Sequence, residues 1–105
     1  MSPDQFPRPA NFPYTDVFYF DGSVAMMLGV YKDSDEKSVG LRWMVAESEI
    51  GYPSTRGNPM WMVAPDKLAL YMLEGILKNI EQEYSSIRNL NEFMSALNHI
   101  RDKCK

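Results

Sequence analysis

The pair Asp21-Gly22 sits between two apolar runs, "TDVFYF" and "SVAMMLGVYKD", and restricts the fold more than any other feature of the chain. Two residues tolerant of positive φ, flanked by β-branched and aromatic side chains, are a hairpin signal. Strands are therefore predicted near 15–20 and 23–32. In the second, Val24, Met26, Leu28 and Val30 share one face, while Ala25, Met27, Gly29 and Tyr31 share the other. Both faces are apolar, which predicts a central strand covered over most of both sides. The acidic tip "DSDEK" turns the chain into "SVGLRWMVA". There Val39, Leu41, Trp43 and Val45 alternate with Gly40, Arg42, Met44 and Ala46, giving a third strand with one clearly buried face. Pro59 opens "PMWMVA", a short fourth strand.

The periodicity then changes from two to three and four. Pro65 and Asp66 suit a helix start, where a missing amide is harmless and a carboxylate faces the positive end of the helix dipole. Leu68, Met72, Ile76 and Ile80 form one row, with Ala69, Leu73, Leu77 and Tyr84 beside it. Gly75 interrupts this helix at a cost of about 1 kcal/mol, which suggests a close backbone approach. Asn89 followed by Glu92 resembles a capping box, with asparagine in place of serine or threonine. Leu90, Phe93, Leu97, Ile100 and Cys104 then mark a second helix. Strands first and helices after give an α+β fold: a four-stranded antiparallel meander followed by two C-terminal helices packed on one sheet face.

Residues 1–14 carry Pro3, Pro7, Pro9 and Pro13 interleaved with Phe6, Phe12 and Tyr14. Proline fixes φ and removes amide donors, so this arm is expected to be extended and to lie against the domain formed by residues 15–105. At 105 residues the chain matches a single domain. The segment "MSPDQFPRPANFPY" has neither a basic start nor an apolar run of the secretory kind. No apolar run approaches the roughly 20 residues that span a bilayer. One cysteine, Cys104, forms no internal disulfide. A cytoplasmic protein that does not engage membrane is the resulting expectation. Net charge is −3, and residues 1–36 hold two basic against six acidic groups. Such a surface argues against nucleic acid, which needs basic patches; Arg42, Trp43, Arg56 and Trp61 do not overcome the carboxylates of Glu47 and Glu49 beside them.

The catalytic inventory is thin. His99 has no evident partner for acid–base work. One histidine and one cysteine do not build a zinc site, and Lys37 breaks the resemblance of Asp33, Asp35 and Glu36 to a calcium loop. No catalytic residue, metal or cofactor is assigned. Eight methionines are the compositional oddity. Five of them (Met26, Met27, Met44, Met60 and Met62) fall in predicted strands, as irregular core filler or as a deformable contact face. Met27 and Met44, opposite the main buried phase, would form an apolar patch rimmed by Arg42 if helices cover one face of the sheet alone.

The stretch "ESEIGYPSTRGN", Glu47 to Asn58, is longer than the two to five residues or so that usually join hairpin strands. Its Tyr52 and Arg56 are residue types enriched at binding hot spots. The leading expectation is a non-catalytic protein-binding module, inhibitor-like or adaptor-like. It would use loop 47–58 and the adjoining sheet face, with Tyr52, Arg56 and Trp61 as anchors and Arg42, Glu47 and Glu49 as electrostatic selectors. One alternative is an accessory subunit that pairs with its own copy as a homodimer. Another is a small-molecule-binding domain or enzyme using Arg56 and the Glu47/Glu49 pair.

Overall fold

A computed structural model of the chain describes residues 6–43 and 60–105, together with the backbone of 54–55 and 58–59. Three strands of seven residues come first: β1 (Tyr14–Phe20), β2 (Val24–Val30) and β3 (Lys37–Trp43). Two short pieces, β4 (Ser54–Thr55) and β5 (Asn58–Pro59), pair with each other, and β6 (Met62–Val63) follows. The main sheet runs β1-β2-β3-β6, antiparallel throughout. Helix α1 (Asp66–Lys78), a single turn α2 (Ile80–Glu83), a 3-10 turn (Tyr84–Ser86) and α3 (Leu90–Lys103) complete the chain. The α+β meander with C-terminal helices is the fold that the sequence predicts.

The β1–β2 connection forms as expected in place but not in detail. Gly22 adopts φ +98°, while Asp21 stays out of the left-handed region. The Asp21 carboxylate instead accepts hydrogen bonds from the amides of Ser23 (2.9 Å) and Val24 (2.8 Å), an Asx-type turn. At the acidic tip, Lys32 and Asp33 take φ of 49° and 59°, and residues 32–37 are exposed.

β1 carries two irregularities. Tyr14 faces Gly29, Val17 faces Met27 and Tyr19 faces Met26, so β1 holds an extra residue at each step. A bulge turns consecutive side chains toward one side. It sets Phe18 and Tyr19 together in the core beneath the helices, although strict alternation would separate them. The outer edge of β1 is closed by the segment before α3. Ile87 bridges Tyr19, and the Arg88 amide donates to the Phe18 carbonyl at 2.8 Å.

The sheet separates two apolar cores. On the helix side Phe18, Met26, Leu28, Val39 and Leu41 meet Leu73, Phe93, Leu97 and Ile100. Asn89 caps α3, its side chain accepting from the Glu92 amide at 3.0 Å. Helix α1 stops at Lys78 instead of running on to Tyr84. The Asn79 side-chain amide donates to the Gly75 carbonyl (2.8 Å), and its backbone amide bonds the last-turn carbonyls, closing the helix in competition with propagation.

On the opposite face Val17, Ala25 and Met27 are covered by Phe6, Phe12 and Trp61. The arm is pinned by polar contacts. The Pro7 carbonyl accepts from the Trp61 indole and the Tyr14 hydroxyl, both at 2.8 Å, and Arg8 donates to the Tyr14 and Thr15 carbonyls. Farther along, the Val30 amide donates to the Pro13 carbonyl and the Lys32 amide to that of Asn11. The expectation of an open second face is thereby corrected: the chain's own residues 6–13 occupy it. Met27 is fully buried there, and Met44 lies outside the described residues.

Candidate binding groove

The residues singled out in the sequence divide into two groups. Tyr52, Arg56, Glu47 and Glu49 lie outside the described residues. Arg42 and Trp61 are described and buried. Arg42 is 1% exposed and donates to the Met60 carbonyl. Burial lowers its guanidinium pKa from the ordinary value, with the Tyr14 phenol opposing the shift. Trp61 is 4% exposed; beyond its bond to Pro7 it packs edge-on against Tyr14, ring centroids 5.4 Å apart. Neither side chain stands on an open surface. They tie the sheet to its cover, with Trp61 holding the arm and Arg42 holding the approach to β6.

Exposed apolar area gathers elsewhere, at one end of the helix-covered face. Trp43 is 42% exposed at the end of β3, and Met62 is 41% exposed in β6. Register places them together: Met62 faces Leu41, two residues before Trp43 and on the same side of β3, and Trp43 faces Val24 of β2. Val24 in turn shares a groove with Tyr71 of α1, which is 59% exposed, and Leu68 lies one turn earlier at 55%.

That groove has a volume of about 360 Å³ and lies between α1 and the β1–β2 turn. Val24, Met26, Tyr71 and Met72 form its apolar walls, and Asp21 and Glu83 supply carboxylates. Glu83 is fixed by the Tyr19 hydroxyl, which donates to its Oε2 at 2.6 Å. Burial first, then the bond to Glu83, then the nearby Asp21 carboxylate raise the Tyr19 phenol pKa far above its ordinary range. Both carboxylates thus act on the Tyr19 hydroxyl, which lines the same groove. Gly75 lies in the same wall, and a Cβ added there would have nothing within 4 Å. The expectation that this glycine permits close backbone approach is corrected: it leaves open space.

This groove is not legible in the sequence. Tyr19 reaches it because the β1 bulge changes the strand's phase, and Glu83 because α1 ends at Asn79. The interrupting glycine was the one visible signal. Among the described residues no group of three or more histidines, cysteines, aspartates or glutamates is placed to hold a metal ion, and no helix is long and apolar enough to cross a membrane. Comparisons with protein-family models, curated proteins and solved structures find no match to this chain.

Proposed function

We propose that the chain is a non-catalytic protein-binding module. Its recognition surface is the uncovered end of the helix-side sheet face, with Tyr52 and Arg56 of segment 47–58 proposed as further contacts. The observation that carries this reading is a run of exposed apolar side chains: Trp43 and Met62 on one face of adjacent strands, and Tyr71 and Leu68 one turn apart on α1, with Val24 facing Trp43 and sharing the groove with Tyr71. Scattered exposed hydrophobics are ordinary, but neighbouring ones that include aromatic rings are a mark of interaction surfaces. The segment carrying Tyr52 and Arg56 leaves from Trp43 and returns at Met60. Trp43 belongs to the patch and Met60 precedes Met62, so Tyr52 and Arg56 of the intervening segment are proposed as further contacts.

Affinity capture from a lysate of the native host tests the reading. The wild-type chain is expected to retain a partner that Trp43→Ser/Met62→Lys releases, with a second loss in Tyr52→Ala/Arg56→Ala. Melting temperatures of the patch variant should stay close to wild type, because both side chains are already half in solvent. Equal capture by wild type and both variants would remove this surface as a binding site. Light scattering separates a foreign partner from a second copy: self-association would give twice the 12.1 kDa chain mass.

A further inference from the structure

The acidic groove beside the patch narrows the chemistry of the partner. We infer that it receives an arginine side chain from a partner protein's apolar segment, the stem lying on Met26, Met72 and Tyr71 and the guanidinium meeting Asp21 and Glu83. This rests on the binding-module reading above and specifies what that module recognises.

Three observations converge. The first is size and lining: about 360 Å³ of open groove lined by apolar side chains and two carboxylates suits a long aliphatic stem carrying a charged head. The second is charge. Among the described residues the ion pairs join Arg101 to Glu74, Lys103 to Glu36 and Asp66, and Lys105 to Asp102, so Asp21 and Glu83 are in none of them. Asp21 uses Oδ1 on its own turn and Glu83 uses Oε2 on Tyr19, which leaves each carboxylate with accepting capacity. The third is aromatic surface. Tyr71 is largely exposed at the groove wall, where a ring face attracts a planar guanidinium more readily than a strongly hydrated ammonium. An anionic ligand is disfavoured by the same carboxylates.

Gly75 makes the inference testable without breaking the fold. Its missing side chain opens the wall, so Gly75→Met would fill the groove from a helix that gains propensity. The experiment titrates the isotope-labelled full chain with capped Leu-Arg-Leu-Arg-Leu and follows backbone amide signals. Parallel titrations use the same peptide with citrulline, a neutral shape-mimic, or glutamate in place of arginine. The arginine peptide is expected to shift Val24, Tyr71 and Gly75. The citrulline peptide should bind about tenfold more weakly, and the glutamate peptide should leave those signals unmoved. Glu83→Gln should weaken the arginine peptide, and Gly75→Met should abolish its binding while keeping the melting temperature. Equal binding of arginine and citrulline peptides, shifts confined to another surface, or unchanged binding to Gly75→Met would each overturn the assignment. So would a dimeric mass that Gly75→Met returns to monomer, which would give the groove to a second copy. If Gly75→Met still captures a lysate partner that Trp43→Ser/Met62→Lys loses, the groove assignment falls and the binding module stands. If no variant alters capture, the module itself falls.

Discussion

Single residues decide how tightly the two faces of this sheet close. At Gly29 an added Cβ would lie 2.5 Å from the Pro13 carbonyl oxygen, which is backbone and has no rotamer to escape into. At Gly40 the same atom would meet the terminal methyl of Met27 at 2.5 Å, the flexible end of a thioether. Gly29→Ala is therefore expected to destabilise by about 1–3 kcal/mol through forced displacement of the arm. Gly40→Ala should cost less, because methionine adapts. Urea unfolding of the two variants checks the ranking, and the reverse order would show that the arm yields more easily than Met27. Neither role is legible in sequence, where both glycines look like the same interruption of an apolar strand. Arg42 is similarly opaque. Its alternation with Val39 and Leu41 places it on the second face, but only the position of the arm and of Met60 makes that face an interior.

At the level of elements, the order of strands and helices could be read from the change in periodicity, and so could the Asn89 cap and the Asp21-Gly22 turn. The bulges of β1 and the stop at Asn79 could not. Apolar side chains at Ile76, Ile80 and Tyr84 continue a helical pattern that the backbone interrupts at Asn79 and resumes only as a single turn and a 3-10 turn. The two long helices are joined by a two-pronged pair: Arg101 donates to Glu74 through Nε at 2.8 Å and through a terminal nitrogen at 2.7 Å. That bond lowers the Glu74 carboxyl below its ordinary value of 4.5. A carboxylate depressed in the folded state stabilises above its unfolded pKa and loses that contribution as pH falls through the folded value. Glu74→Gln should therefore be modestly less stable than wild type at pH 7, with the gap closing in acid below about pH 4. Denaturation series at several pH values measure it; a gap that persists unchanged at pH 2 would assign the loss to packing instead of charge.

Over the whole molecule, the decisive feature is a sheet buried on both sides by one chain. The apolar alternation on both faces of β2 already demanded two covers, whereas the sequence-based reading of a free second face allowed one; the structure decides for two. The aromatics of the proline-rich arm already placed it against the domain; what the sequence did not disclose is that it covers the second face, because nothing in its local pattern says which side of the sheet it meets. Phe12→Ala is expected to cost about 3–5 kcal/mol, the range for emptying a fully buried aromatic site. Deleting residues 1–12 should expose Val17, Ala25 and Met27, raise binding of hydrophobic dyes and promote association. A truncated chain that stays monomeric and melts like wild type would show that the arm contributes nothing to stability. The bond from the Trp61 indole to the Pro7 carbonyl spans 54 positions. During synthesis the arm leaves the ribosome before the strands it covers, yet its anchor Trp61 is made much later. Phe6 and Phe12 meet partners in the first hairpin, Phe20 and Tyr31, but the Pro7 carbonyl waits for Trp61, and any chaperone or neighbouring nascent chain that holds the arm in that interval competes directly with closure.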